Sequence, residues 1–314
     1  MADCRHGLTG QGLLRFAIAL SLVTLMSVPV VASLAAPLTP MSGPQALPPS
    51  LRPLASETAI RRGIDYVLAQ YDPETGLLRE SPNWFPNRYW VFNDNAIAAH
   101  VLEELGEHDM ADALYASLQT YGYQTNNRQE VLWGVPVDWP PRYERRFRLS
   151  TIGSKEVRME LCDSEWRYDE CWNDPSRKCW RDYTNLAMLG ALNELSKGNE
   201  QAARQIYDQA LQAFDGLGFK DKAFDGGYET YKLALALHTG SRLEALTPTM
   251  ADNLAQRLLS QQASTGGFFT YYMEDGTSFG DTDTKTTSLA LLALHNYQPG
   301  SPGYRVYLPL ICRE

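Results

Sequence analysis

The sequence predicts a mainly α fold, a short or open ring of about four helical hairpins with an inserted β-hairpin and loop region. Three observations predict it. One order of features recurs along the chain. Gln262-Ala-Ser-Thr-Gly-Gly-Phe leads to Asp281-Thr-Asp-Thr and the apolar run from Leu289 to Leu294. Gln70-Tyr-Asp-Pro-Glu-Thr-Gly leads to Asn93-Asp-Asn-Ala, and Phe224-Asp-Gly-Gly-Tyr leads to Glu229-Thr-Tyr-Lys-Leu-Ala. Each reads as a helix end, a glycine-aromatic loop, a polar cap and a buried helix, the signature of stacked helical hairpins. The helical segments also alternate between amphipathic and almost wholly apolar, as outer and inner helices do. Finally, residues 123–180 depart from this pattern and alternate with a period of two.

Residues 1–35 read as a signal peptide. Arg5 and Arg15 precede the apolar run from Phe16 to Val31, and the small residues Ala32, Ser33, Ala35 and Ala36 follow. The run is also long enough to be a retained membrane anchor. Both readings place the rest of the chain outside the cytoplasm, extracellular or at the cell surface. After cleavage no stable membrane span is expected. Residues 36–54 are rich in proline, as an extended linker is. The helical domain is expected over 55–314, opening with Ser56 as N-cap of a helix over Glu57–Gln70.

Further helices are expected over Asp94–Leu105, Asp109–Thr120, Asp182–Leu195, Glu200–Phe214, Tyr228–His238, Thr249–Gln262 and Thr284–His295. Gly106, Gly198, Gly216, Gly240 and Gly266 punctuate their ends. Within the insertion, Phe147, Leu149 and Thr151 alternate, as do Val157, Met159 and Leu161. A two-residue turn at Gly153-Ser154 makes them a β-hairpin. Cys162, Cys171, Cys179 and Cys312 are an even set suited to an oxidising compartment. They allow three pairings, so the insertion is expected to be disulfide-pinned in one of three ways. A zinc site is the rival reading, but no Cys-x-x-Cys pair or adjacent His supports it. A short edge strand is expected over Tyr304–Cys312.

The glycine-aromatic repeat resembles that of the α/α toroid superfamily of terpenoid cyclases and protein prenyltransferases. Leu258, Gln262, Gly266 and Phe268 fit its spacing, and Gln70 and Gly76 fit it loosely. The resemblance implies an α/α toroid, with the Gln amide tying a helix end to the next loop. Class II cyclases of the superfamily also carry an acidic, proton-donating segment. The matching stretch here is Asp281-Thr282-Asp283-Thr284, with Thr284 at the third acidic position. Exported α/α barrels that process polysaccharides are similar in hairpin logic.

The net charge of -9 argues against a nucleic-acid partner and suits a neutral or cationic ligand. Acidic and amide residues open the inner helices: Asn93, Asp94 and Asn95; Asp182; Glu229; Asp281 and Asp283. In a hairpin ring these starts converge on one rim. Paired carboxylates there could protonate a glycosidic oxygen and activate water. Asp94, Asp283, Asp281 and Glu229 are therefore candidate catalytic groups, although each is also a good helix N-cap. Trp90, Tyr89, Asn93, Asn95, Tyr228, Tyr231, Phe268 and Tyr271 are candidate ligand contacts. The tryptophans, all between Trp84 and Trp180, could equally form a satellite core.

The oxygen-rich segment Asp275–Asp283 suits Ca2+ but lacks EF-hand spacing, so an ordinary turn is expected, with no metal and no cofactor. His100, His108, His238 and His295 are scattered and read as structural. Two functions follow as expectations: an enzyme acting on an extracellular glycan by hydrolysis or elimination, or a non-catalytic cell-surface binding module. The sequence fixes neither the substrate nor the oligomeric state.

Overall fold

A computed structural model describes residues 52–83, 89–123, 127–139, 144–152, 155–164 and 179–297, all within the compact unit Ala46–Glu314. The signal peptide, most of the proline-rich segment, Trp84, Phe85, Cys171, Cys312 and the expected C-terminal strand lie outside these residues, as do the side chains of Tyr89 and Cys162.

Among the described residues the fold is mainly α. Helix α1 spans Arg52–Ala69, α2 Phe92–Glu104, α3 His108–Thr120, α4 Asn127–Leu132, α5 Thr184–Ser196, α6 Glu200–Leu211, α7 Thr230–Arg242, α8 Pro248–Leu259 and α9 Thr284–Asn296. The helices pack in pairs: α1 on α9, α2 on α3, α5 on α6 and α7 on α8. The second level of packing joins α2 to α9, α9 to α7 and α7 to α5, while the short α4 touches both α5 and α2.

Burial follows the alternation read from the sequence. Helices α2, α5, α7 and α9 are buried over almost their whole length. In α3, α6 and α8 only one stripe is buried, such as Ala111, Leu114 and Leu118 of α3 or Ala251, Leu254, Ala255 and Leu258 of α8. An inner helix therefore needs small and aliphatic residues all round. An outer helix needs them only at i, i+3 and i+4. Each fully buried Leu of the inner set contributes about 1.5–3 kcal/mol relative to exposure.

Ser56 does not cap α1. The helix begins at Arg52 and Ser56 is buried within it. Pro53 sits in the first turn, where its missing N–H costs no intrahelical bond.

The glycine-aromatic loop after α8 works as its spacing suggests. The Gln262 amide donates to the carbonyls of Ala59 in α1 and Gly266, both at 2.8 Å. Gly266 has φ of 97°, and any Cβ there would strike the Arg62 carbonyl of α1. Only glycine meets both demands. The loop is thus clamped to the first helix, and Phe268 beyond it is fully buried.

The insertion contains the expected hairpin, with β4 (Glu144–Ile152) antiparallel to β5 (Lys155–Ser164). Two features were not anticipated: helix α4, and a parallel pairing of β5 with β3 (Tyr89–Val91), the strand that runs straight into α2. The insertion is thereby joined to the start of an inner helix. Cys179, at its end, is disulfide-bonded. The described tryptophans take the core reading: Trp90 and Trp180 are buried, and Trp133 and Trp139 pack against the core. Trp139 and Trp180 meet edge to face, with ring centroids 5.9 Å apart.

The far half of the inner helices holds two buried imidazoles. His238 of α7 is only 2% exposed, and neither of its ring nitrogens has a partner. His100 of α2 lies against Trp133. Burial first, and then the nearby Arg242, push His238 down to about 3 and His100 to about 4. Both are depressed below the unfolded value of about 6.5. The unfolded chain therefore binds more protons between about pH 6.5 and pH 3–4, and stability falls as pH drops through that window. We predict that His238→Leu is at least as stable as the parent at pH 7 and loses less stability between pH 7 and 4. Urea melts at both pH values test this, and an equal acid loss in both proteins would refute it.

Candidate functional site

Four inner-helix starts are stitched together at one end of the molecule. Residues 70–83, between α1 and β3, cross this end. Two short strands, β1 (Tyr71–Asp72) and β2 (Leu77–Leu78), pair there. The Asn95 amide of α2 holds both the N–H and the carbonyl of Leu78, at 2.7 and 3.0 Å. From α9, the Thr284 N–H donates to the Glu80 carbonyl at 2.8 Å and its hydroxyl to the Arg79 carbonyl at 2.5 Å. Asp281 accepts hydrogen bonds from the Ser81 hydroxyl and, at 2.8 Å, from the Asn83 amide.

A three-stranded sheet, β6 (Tyr228–Glu229), β7 (Phe269–Tyr272) and β8 (Ser278–Thr282), joins the start of α7 to that of α9. The start of α5 is fixed by the Thr184 N–H, which donates to Asp221 at 2.7 Å. Lys232 of α7 bonds the same carboxylate.

These ties bring Glu80, Asp94 and Asp283 together. Asp94 lies in the first turn of α2, and Asp283 is the N-cap of α9, accepting from the Thr286 N–H at 2.5 Å. Glu80 lies in the crossing segment between them, close enough to Asp94 that the neighbouring carboxyl disfavours its ionised form.

Glu80 and Asp283 keep some water-accessible surface, yet both lie deep among neighbouring atoms. Burial above all, then the charges of Asp94 and Asp283, raise Glu80 well above the usual carboxylate range. Burial and the nearby Asp94 raise Asp283 to about 6, against the opposing pull of the Thr286 amide and Lys285. Lys285 acts electrostatically on both acids, and its ammonium lies 4.7 Å from the centre of the Tyr231 ring. Among the described residues no cluster of His, Cys, Asp and Glu has metal-binding form.

No protein-family model matches this chain, and no curated protein matches it.

Asp94, Asp283 and Asp281, expected from the sequence, all reach this end of the molecule. Glu229 stands at the start of α7 in a 2.5 Å ion pair with Lys232. It neighbours Tyr271, on which both Glu229 and Asp283 act electrostatically. Tyr231 and Tyr271 are partly or well exposed at the same rim.

Other candidates take structural places. Trp90, Tyr228 and Phe268 are fully buried, so their faces are spent on packing and no ligand reaches them. The Asn95 amide is committed to backbone groups, and Asn93 accepts from the Tyr123 hydroxyl at 3.2 Å. The turn at Asp275–Gly276 is an ordinary one, with Asp275 accepting from the Thr277 N–H.

Glu80 and Lys285 were missed by sequence reasoning. The one available signal was positional. Glu80 falls in the loop that precedes an inner helix, the part of each repeat that must cross the rim.

Proposed function

We propose that this end of the molecule is a carboxyl acid–base site that cleaves a neutral extracellular glycan. The observation that carries the reading is the buried Glu80–Asp94 carboxyl pair crowded beside Asp283. A carboxyl raised well above the usual range is suited to act as a general acid, and a neighbouring carboxyl that ionises above about pH 6 is suited to act as the complementary base.

In this scheme the pair donates its proton to the glycosidic oxygen as the carbon–oxygen bond breaks. Asp283 removes a proton from the water that attacks the anomeric carbon, or attacks that carbon itself. Lys285 keeps Asp283 ionised. The clustering of four inner-helix starts supports an α/α toroid as the frame. Export fits a glycan found outside the cell. No helix among the described residues is long and apolar enough to cross a membrane.

The test is a reducing-end assay against a panel of neutral polysaccharides, using the mature chain and its Asp94→Asn and Asp283→Asn variants. Cleavage by the parent, rising with pH through about 6 and lost in both variants, is the expected result. Unchanged turnover in both variants would end this assignment.

A second reading, a non-catalytic surface-binding module, draws on a specific observation. Asp283 is also a helix cap, Asp281 is tied to Ser81 and Asn83, and Glu229 is paired with Lys232. Glycan binding with no cleavage of any polysaccharide would favour it.

A further inference from the structure

The β6–β7–β8 sheet has two unlike faces. In register, Tyr228 pairs with Tyr272 and Tyr272 with Ser278. The first two rings of this row stack at 5.2 Å, both fully buried. The neighbouring row is Glu229, Tyr271 and Phe279, and here the rings face solvent. Tyr271 is 37% exposed and Phe279 39%, with centroids 5.4 Å apart and planes 22° from parallel. Met273, just past the end of β7, is also exposed.

Of the five large apolar side chains exposed among the described residues, three therefore sit on this one hairpin. The Phe279 ring lies against Gly227, where a Cβ would come within 2.6 Å of it. The glycine thus lets the ring lie directly on backbone. Acidic groups border the pair: Glu229, Asp225 and Asp283 all act on the Tyr271 hydroxyl, with Lys285 opposing them.

A flat, fixed aromatic pair next to carboxylates has a narrow choice of ligand. Anionic groups are repelled, and a purely apolar ligand would make no use of the acceptor oxygens at the rim. A neutral sugar ring suits both features. Its C–H face covers the aromatic surface, and its hydroxyls donate to the carboxylates at the rim.

We propose that Tyr271 and Phe279 form a stacking subsite for a neutral pyranose ring, next to the carboxyl cluster. This rests on the glycan reading above and extends it. The substrate is an oligomer or polymer whose adjacent sugar occupies the platform while the bond to be cleaved lies beside Glu80, Asp94 and Asp283.

The experiment is affinity electrophoresis of the mature chain in gels containing neutral or uronic-acid polysaccharides. Tyr271→Ala, Phe279→Leu, Tyr271→Phe and Glu80→Gln are run beside the parent, and folding is checked by thermal melts. A neutral glycan should retard the parent. Tyr271→Ala and Phe279→Leu should weaken that retardation about tenfold each, while Tyr271→Phe, which keeps the ring, should preserve it. Glu80→Gln should bind like the parent without cleaving.

Parent-like retardation of both Tyr271→Ala and Phe279→Leu would overturn the platform and leave the catalytic reading standing. Equal retardation by uronic-acid polymers would overturn the neutral class. If no neutral glycan retards or is cleaved by the parent, both proposals fall.

Discussion

Glu80→Gln is expected to lower turnover by about 10²–10⁴-fold and to leave the protein as stable as the parent, or more so, at pH 7. The two halves of this prediction come from the same physical cause. Glu80 is raised well above its ordinary range because burial and the charges of Asp94 and Asp283 disfavour its ionised form. The folded state therefore holds a proton that the unfolded chain, titrating near pH 4.3, has released. Above about pH 4.3 the folded state therefore binds more protons at this group, and its contribution to stability declines as pH rises.

Gln has the shape of the protonated carboxyl and can still hydrogen-bond to Asp94, but it has no proton to give. A catalytic loss with no stability loss is thus the signature of a poised acid. A purely structural Glu80 would give a lower melting temperature and unchanged turnover. Reducing-end assays and melts over pH 4–8 read both quantities. The pH profile adds a third check, because its rising limb near 6 belongs to Asp283 and should persist in the residual turnover of Glu80→Gln.

The sequence carried the hairpin order because each repeat repeats its own physics. A glycine is required where a loop passes close to a neighbouring backbone, as Gly266 does at Arg62. A run of small and aliphatic residues is required wherever a helix is buried on every side, as from Leu289 to Leu294 in α9. Asp94 and Asp283 were legible for a related reason. Acids at helix starts are easy to see, and the repeat gathers those starts at one end.

Glu80 was not legible. It lies in a segment with no periodicity, and its position depends on bonds from Thr284, some two hundred residues away. The aromatic candidates divide into buried and exposed for a different reason. Tyr228 and Tyr271 both belong to the same small sheet, and only the strand register decides which ring faces the core and which faces water. The parallel pairing of β5 with β3 was equally hidden, since partner choice between distant strands leaves no local pattern.

Lys232→Met should destabilise the fold by about 3–5 kcal/mol, the largest stability effect we expect from a single substitution. Lys232 is one of the most deeply buried side chains, 2% exposed, on a helix whose neighbouring positions are Leu and Ala. Its ammonium bonds both oxygens of Asp221, at 2.8 and 2.9 Å, and approaches Glu229 at 2.5 Å. Asp221 also accepts the N–H groups of Thr184 at 2.7 Å and Ala223 at 2.9 Å. One charged group therefore holds together the starts of α5 and α7 and the loop between them.

Removing the cation leaves the Asp221 carboxylate buried beside Glu229 with no positive charge to offset it, and that residual charge, more than the lost bonds, makes the substitution costly. The double variant Lys232→Met/Asp221→Asn distinguishes the two contributions. Asn keeps an acceptor for the Thr184 and Ala223 amides but carries no charge, so it should recover much of the loss. Urea denaturation of the parent, both single variants and the double variant gives the coupling energy directly. A double variant no more stable than Lys232→Met would show that bonding geometry, rather than uncompensated charge, governs this junction. A single variant costing under about 1 kcal/mol would show that Lys232 is not the clamp between α5 and α7.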